Sequence, residues 1–295
     1  MDRAENIKAV FDAYDGEKEF VHANPYMPQP DYSDGKYKLL VTDELVKTSP
    51  EKCIFIGHGM GAFKTYGADQ PQGYFRQEDG KNIDYCIASS RHMIPIVAKQ
   101  CGVSETQVLP LGMPRTDRYF TEMYKYDKRT YVYLPTFRRK CEWKYVGIDW
   151  DYIDSHLSDD EQLIVKAHMV VNERILSKKY KHIHEASKDE VTTPYLMASD
   201  VVITDYSSVI FDAFVCRKPV ILFEKDYEVY EKGRGIYYKY PDDYSNLHCR
   251  TEAELLELLR NAKWDSYFEN RKEFFTEYCD GHSTERVIKL IKEVL

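Results

Sequence analysis

The stretch VVITDYSSVIFDAFVCRKPVILF, residues 201–223, decides the fold of this 295-residue chain. It opens with a short apolar run at 201–203, which is typical of a buried strand, and a second apolar run follows at 209–215. Arg217-Lys218-Pro219 then interrupts the chain before a third apolar run at 220–223. This order of strand, polar turn, helix and strand predicts one βαβ unit.

The same alternation recurs along the rest of the chain. Residues 91–101 and 252–261 have helical spacing, and Thr251-x-x-Glu254 predicts a capping box at the start of the second of these helices. Strands alternating with helices are typical of parallel sheets covered on both faces. Strands are predicted at 38–42, 53–57, 85–88, 107–109, 131–134, 161–166, 201–204 and 220–223.

The polar, tyrosine-rich segment TEMYKYDKRT, residues 121–130, is the predicted linker between two doubly wound α/β domains that face each other across a cleft. The predicted domains are residues 1–122 and 131–280. Residues 281–295 form a closing segment, whose apolar stripe predicts an amphipathic helix packed on the protein body rather than on a membrane.

Composition excludes several classes of protein. The net charge of −8 argues against general affinity for nucleic acid, which needs clustered Lys and Arg. No apolar run approaches the ~18 residues that span a membrane, and the acidic N-terminal region is not a secretory signal. Seven cysteines at scattered spacings predict reduced thiols in the cytosol, with Cys53, Cys86 and Cys216 in the core.

The polar turn of the opening stretch, Thr204-Asp205-Tyr206-Ser207-Ser208, is predicted to bind phosphate. A helix start offers unpaired backbone N–H groups and the positive end of the helix dipole, and hydroxyl side chains add further donors. At the carboxyl end of a strand, this arrangement suits a phosphate group. The alternative is an ordinary N-cap, although a cap needs only one such side chain rather than the whole set.

Two further strand ends are followed by histidines. His58 stands between Gly57 and Gly59, and glycines let a backbone approach a ligand closely. A histidine in this position is a candidate general base, and a turn histidine bonded to a carbonyl is the alternative. In the second half, Lys166 and His168 follow another predicted strand and are expected to face a dianionic group.

The stretch YVYLPTFRRK, residues 131–140, delivers Arg138 to a strand end, where its guanidinium can hold phosphate oxygens bidentately; a solvated loop arginine is the alternative. His182 and His184 have no third ligand at a suitable spacing, so surface imidazoles are predicted instead of a metal pair. The sequence has no G-x-G-x-x-G, no P-loop and no Asp-x-Asp pair in a plausible metal loop.

Taken together and in this order, the motifs resemble those of the CDP-glycerol glycerophosphotransferase family, whose members prime and polymerise teichoic acids and related capsular polymers. The resemblance runs from about residue 53 to residue 286. The matching motifs are His58-Gly59, Gly112-x-Pro114-Arg115-x-Asp117, Pro135-Thr136-Phe137-Arg138, residues 204–208 with Phe211-Asp212, Arg234-Gly235-Ile236-Tyr237, and Asp280-Gly281-x-Ser283-x-x-Arg286.

The resemblance implies a GT-B-like fold of two Rossmann-like domains, with the acceptor side in the first, the nucleotide in the second and no metal or other cofactor. The donor would be CDP-glycerol or CDP-ribitol, and the acceptor a lipid-linked or polymeric glycan. The expected location is the cytoplasm, with peripheral contact at the inner face of the cell membrane left open. No nucleic acid partner is expected.

The resemblance also implies roles for individual residues. His58 would be the general base on the acceptor hydroxyl, with His168 as a second catalytic candidate. The expected donor-binding residues are Arg138, Lys166, Thr204, Asp205, Tyr206, Ser207, Ser208 and Arg234, and the expected acceptor-side residues are Gly59, Lys64, Arg115 and Asp117. The family usually continues His-Gly-Thr-Pro-Leu-Lys, whereas His58 is followed here by Gly59-Met60-Gly61-Ala62-Phe63-Lys64.

Two other classes of protein fit the sequence. A GT-B glycosyltransferase or a sugar-nucleotide epimerase would share the architecture and the phosphate-binding helix start, but would bind a sugar nucleotide. A non-catalytic relative that still binds nucleotide is also compatible with the altered loop after His58.

Overall fold

A computed structural model describes residues 5–21, 30–57, 59–60, 63–65, 67–69, 77–136, 147–168, 174–187 and 189–295. The chain divides into two compact units. The first unit combines Met1–Thr121 with Glu273–Leu295, and the second is the continuous segment Glu122–Lys272.

The first unit is built on a parallel sheet of four strands in the order β1-β2-β3-β4. Apolar side chains fill both faces of these short strands, as is usual when helices cover a parallel sheet. Its strands and helices are β1 Leu39–Thr42, β2 Lys52–Phe55, β3 Tyr85–Ala88 and β4 Val108–Pro110, with α1 Glu5–Ala13, α2 Ile94–Cys101 and the closing helix Ser283–Val294.

The closing helix packs in the core of the first unit, as the apolar stripe predicts. Val287, Leu290 and Ile291 join one buried cluster with Val10 of α1 and with residues of β2 and β3. The predicted boundary at residue 280 differs from the end of the second unit at Lys272, because the chain already rejoins the first unit before this helix begins.

The second unit contains a parallel sheet of six strands in the order β10-β9-β8-β5-β6-β7. The chain runs outward from β5 through β6 to β7, returns to the other side of β5, and runs outward again from β8 to β10. This is the strand order of a Rossmann fold, in which ligands bind where the order reverses, at the carboxyl ends of the strands. Here the reversal lies between β5 and β8.

The elements of the second unit follow the predicted alternation of strands and helices. They are β5 Arg129–Leu134, α3 Trp150–His156, β6 Glu161–Val165, β7 Ile183–Glu185, α4 Thr193–Ala198, β8 Val201–Thr204, α5 Val209–Val215, β9 Val220–Phe223, α6 Tyr227–Arg234, β10 His248–Cys249, α7 Glu252–Asn261 and α8 Ser266–Thr276. In chain order, the closing helix is therefore α9.

All eight predicted strands are confirmed within two residues at each end, and the four predicted helices are present as α2, α5, α7 and α9. The capping box is confirmed as well, since the Thr251 hydroxyl accepts from the backbone N–H of Glu254, and the Glu254 carboxylate accepts from that of Thr251. The sequence analysis missed β7 and β10, the two edge strands of the second sheet, which are three and two residues long.

Six cysteines lie among the described residues, and none of these six forms a disulfide. Cys53 and Cys86 are fully buried as predicted, whereas Cys216 is only partly buried. Burial raises the pKa of the Cys53 thiol to about 12, so this thiol is an unreactive core group at neutral pH.

Candidate functional site

The predicted phosphate-binding turn lies where the strand order of the second sheet reverses. Strands β5 and β8 are parallel neighbours, with Leu134 paired to Thr204, so the residues that follow each strand emerge side by side. The Thr204 hydroxyl donates to the Leu134 carbonyl at 2.6 Å and joins the two strand ends. Topology therefore places residues 204–208 at the sheet edge where a Rossmann fold binds its ligand.

Asp205 is buried and bonded to the main chain. One oxygen of its carboxylate accepts from the backbone N–H of Thr136 at 2.8 Å and from that of Tyr206 at 2.6 Å. Its side chain is 1% exposed. One oxygen of the carboxylate, Oδ1, thus holds the turn after β5 against the turn after β8, and a direct contact of Asp205 with the donor stays a prediction.

Tyr206 also faces the protein interior. Its ring is fully buried and stacks on Tyr230 of α6 with 4.0 Å between ring centroids. Its hydroxyl donates to the buried Asp226 carboxylate at 3.1 Å. The stacking and the hydrogen bond join the turn after β8 to α6, the helix that follows β9.

Ser207 and Ser208 differ from the other residues of the turn because both are partly exposed. The Ser207 hydroxyl accepts from the backbone N–H of Val209 at 3.4 Å, a long bond. Ser208 is the N-cap residue of α5, yet its side chain makes no capping hydrogen bond. An ordinary cap therefore does not account for Ser208, and its hydroxyl can donate to a bound anion.

The other donor-side candidates lie in different places. Lys166 directly follows β6 and is buried, with its ammonium 3.4 Å from the Ser187 carbonyl oxygen, to which it donates. His168 is exposed two residues later. Because β6 is the other neighbour of β5, Lys166 and His168 leave the same edge of the sheet as residues 204–208. Arg234 ends the backbone of α6, and Arg138 lies outside the described residues.

Glu224 is a residue at this edge that the sequence analysis missed. It follows β9 and is 3% exposed, with one carboxylate oxygen, Oε1, lying 3.2 Å from His248 Nδ1 and 3.6 Å from Arg250 Nε. The other oxygen, Oε2, is buried, and within the described part of the chain it makes no hydrogen bond of good geometry. Burial raises the pKa of this carboxyl, and the neighbouring His248 and Arg250 oppose the shift. The Tyr240 hydroxyl also lies close enough to lower this pKa, so the buried carboxyl has a polar neighbour inside the protein.

Sequence reasoning missed Glu224 because its only local signal is one acidic residue after an apolar run, FEKD, which equally predicts a solvated turn. Its two partners lie 24 and 26 residues further along the chain, on and just after the edge strand β10 that was also missed. Glu224 would be predicted if the polar residues after every predicted parallel strand were taken as candidates for the site.

All four acceptor-side candidates lie in the first unit, and His58 lies outside the described residues. Gly59 is partly buried in a bend, and Lys64 is partly buried in a short bridge. Gly57 adopts a φ of +76°, the left-handed region that favours glycine, so a side chain there would strain the turn that leads to His58.

Asp117 caps a helix in the structure. Its two carboxylate oxygens accept from the backbone N–H groups of Ser283 at 3.0 Å and Thr284 at 2.7 Å, at the start of α9. Two acceptors at a helix start satisfy N–H groups that have no partner within the helix. The Arg115 backbone N–H is likewise engaged within the first unit, by the Asn6 side chain at 3.0 Å.

Two of the resembling motifs contact each other at this point. The Arg286 guanidinium donates to the carbonyls of Leu111 at 3.0 Å and Tyr278 at 2.7 Å. A Cβ at Gly112, whose φ is +82°, would lie 2.1 Å from the Tyr278 carbonyl oxygen. The close approach requires glycine, and it explains why Gly112-x-Pro114-Arg115-x-Asp117 and Asp280-Gly281-x-Ser283-x-x-Arg286 occur together: each motif folds against the other.

Within the described part of the chain, no group of three or more His, Cys, Asp and Glu side chains is arranged to hold a metal ion. In the same residues, no helix is both long enough and apolar enough to cross a membrane.

Comparison with known proteins places these features in one family. Residues 36–293 match the model of the family described as CDP-Glycerol:Poly(glycerophosphate) glycerophosphotransferase, which is most of the chain. The matched range includes both sheets and every motif quoted above.

Individual relatives agree with the family match. The chain is 25% identical over 276 residues to a teichoic acid glycerol-phosphate primase of Bacillus subtilis, covering 87% of this chain and 72% of the primase. It is 28% identical over 263 residues to a teichoic acid poly(ribitol-phosphate) polymerase of Bacillus spizizenii, covering 81% of this chain but only 42% of the polymerase. The chain thus spans under half of that polymerase.

A solved structure, that of the wall teichoic acid polymerase TagF carrying the H548A change, aligns with a TM-score of 0.73 at 22% identity. The alignment covers 87% of this chain and 73% of that one. With two parallel-sheet α/β units in the present chain, this likeness confirms the predicted GT-B-like fold class.

Proposed function

Because this chain belongs to the CDP-Glycerol:Poly(glycerophosphate) glycerophosphotransferase family, we propose that it transfers glycerol phosphate, or a related polyol phosphate, from a CDP-activated donor to an acceptor hydroxyl. The acceptor oxygen attacks the β-phosphorus, the bond from that phosphorus to the bridging oxygen breaks, and CMP leaves. Chemistry of this kind asks the protein mainly for positioning and for neutralisation of charge. The observation that carries the proposal is the family match over both sheets.

On the donor side, we assign phosphate contacts to Ser207 and Ser208, which are partly exposed at the reversal of strand order. Lys166, His168 and Arg138 would neutralise the pyrophosphate, and Arg234 is a further candidate. Thr204, Asp205 and Tyr206 would act indirectly, since their side chains bond within the protein. Glu224 would support this edge of the sheet through its contacts with His248 and Arg250.

On the acceptor side, His58 would remove the proton from the attacking hydroxyl, a task that suits a group titrating near neutral pH. Gly59, Lys64 and Arg115 would line the acceptor site, while Asp117 would support it through the start of α9. The acceptor would be a lipid-linked or polymeric glycan of the bacterial cell wall or capsule. Peripheral contact with the cytoplasmic face of the membrane, where such an acceptor is held, is part of the proposal.

Release of CMP tests this function directly. The purified chain should release CMP from CDP-glycerol or CDP-ribitol when lipid-linked or soluble acceptors are supplied, and it should not turn over UDP-sugars. The family resemblance implies no metal or other cofactor, so a chelator should leave the rate unchanged, and a strict Mg²⁺ or Mn²⁺ requirement would contradict this. Turnover of a UDP-sugar would favour a glycosyltransferase or an epimerase, and nucleotide binding without CMP release would favour a non-catalytic relative.

Replacing both Ser207 and Ser208 by alanine should weaken donor binding at least tenfold, because two hydrogen bonds to a charged group, each worth about 1.5–3 kcal/mol, are lost. Isothermal titration with CDP-glycerol measures the change. Ser155→Ala is the matched control, since that exposed hydroxyl donates to a carbonyl on α3, away from the reversal. If the double variant bound the donor as tightly as wild type, residues 207 and 208 would be an ordinary helix start and would not bind phosphate.

A further inference from the structure

A buried asparagine in the first helix contacts the two segments of the first unit that carry the acceptor-side candidates. Asn6, on α1, is 1% exposed. Its side-chain Nδ2 donates to the carbonyl of Gly57 at 2.8 Å, and its Oδ1 accepts from the backbone N–H of Arg115 at 3.0 Å. The partners lie 51 and 109 residues further along the chain.

The two bonds fix the side-chain amide in one orientation, because a flipped amide would set oxygen against the Gly57 carbonyl and nitrogen against the Arg115 N–H. In this orientation each polar atom of the amide has a main-chain partner. A buried amide without these partners would lower the free energy of unfolding, so we expect both hydrogen bonds to persist in the folded protein.

The two peptide groups that bond to Asn6 adjoin residues with proposed roles in the reaction. The Gly57 carbonyl belongs to the peptide unit that enters His58, the candidate base. The Arg115 N–H belongs to the peptide unit that leaves Pro114, at the start of the 3-10 helix Pro114–Phe120, which also carries Asp117. Gly57 also has a φ of +76°, so the backbone at this point is bent, and the Asn6 bond fixes the direction of its carbonyl.

We propose that Asn6 is a positioning residue that holds the backbone entering His58 in register with the start of the 3-10 helix Pro114–Phe120, at Arg115. The inference rests on the proposed function, and it extends that function to α1, which precedes the family-matched range of residues 36–293. Helix α1 is held independently, by Val10 in the core of the first unit and by an ion pair of Glu5 with Arg118 at 3.4 Å. The Asn6 contacts are therefore separable from the docking of the helix.

Asn6→Ala tests the proposal because it should lower turnover and leave donor binding unchanged. Misplacing a reacting group by about 1 Å can cost about 10²-fold in rate, so turnover at saturating substrates should fall by about ten- to a hundredfold. Donor affinity, measured by titration with CDP-glycerol, should stay within about twofold of wild type, because the donor-side candidates lie in the second unit.

Asn6→Asp gives a second readout that a purely structural role would not produce. The ionised carboxylate sets an oxygen against the Gly57 carbonyl, whereas the protonated form restores a donor there. The rate of this variant relative to wild type should therefore rise as the pH falls. A ratio that is constant across pH, in protein shown to be folded by circular dichroism, would overturn the proposal.

The matched control is Asn82→Ala, which removes a side-chain amide that also donates to a distant main-chain carbonyl of the first unit, that of Lys47. It should change neither turnover nor the pH dependence. Equal loss of turnover in Asn6→Ala and Asn82→Ala would make Asn6 a general structural contact and overturn the proposal.

Failure of the proposed function is recognised separately, because wild-type protein would then release no CMP. In that case amide hydrogen exchange decides. Asn6→Ala should accelerate exchange at Arg115, whose N–H loses its acceptor, and in the peptide that contains Gly57. Unchanged exchange at both places would overturn the positioning role.

Discussion

His58→Ala is expected to lower the turnover of CMP release by about 10²- to 10⁴-fold, the range typical of lost general-base catalysis. Donor affinity should stay near wild type, because the base touches the acceptor oxygen rather than the nucleotide. The rate of the wild-type protein should fall on the acidic side, near the ordinary pKa of histidine, and this limb should vanish in the variant. Initial rates across pH, with titration of the donor, measure both quantities.

The control for this experiment is His184→Ala, since His184 is an exposed imidazole on the edge strand β7 of the second unit and should not affect the rate. If purified His58→Ala released CMP at the full rate, another residue would have to be the general base. His168 is then the next candidate, because it leaves the carboxyl edge of the second sheet.

Asp205→Ala is expected to lower the free energy of unfolding by about 2–5 kcal/mol, since two backbone N–H groups lose a buried acceptor at about 1–3 kcal/mol each. Those groups belong to Thr136 and Tyr206, so the turns after β5 and β8 lose their common anchor and donor affinity should fall as well. Urea unfolding and titration with CDP-glycerol measure the two effects.

Asp200→Ala is the matched control for this change. Its carboxylate also accepts a backbone N–H of β5, that of Thr130 at 2.8 Å, but it does so at the opposite edge of the same sheet and is exposed. Its loss should cost less stability and leave donor affinity unchanged. An Asp205→Ala protein as stable as the Asp200→Ala protein would contradict the anchoring role.

The periodicity of the sequence was enough to predict the sheets but not every strand. Runs such as residues 201–203 and 220–223 are apolar throughout because both faces of a central parallel strand are covered, and this signal is strong. The edge strands β7 and β10 lack it, since His184 and His248 are exposed and the strands are too short to show a pattern.

The candidate site shows a similar limit. The cluster of hydroxyls and a carboxylate at residues 204–208 was enough to locate the sheet edge, because residue type and strand end are both visible in sequence. Whether each side chain faces a ligand or the protein depends on distant partners. Asp205 meets Thr136, and Asp117 meets Ser283, 166 residues away. One sequence does not reveal such pairs, so positioning residues and direct contacts look alike in it.

The return of the chain to the first unit has a consequence for folding during synthesis. Val287, Leu290 and Ile291 complete the core beneath α1, yet the ribosome makes them after the whole of the second unit. While the ribosome makes the second unit, the nascent first unit is therefore expected to expose the apolar face formed by Val10 and Ile54. The second unit, Glu122–Lys272, is one continuous segment, so all of its sequence is available before the end of the chain is made. Domains generally fold as units in order of synthesis, from the N-terminal end. Here we expect a departure from that order, because one part of the core of the first unit cannot form until the end of the chain has been made.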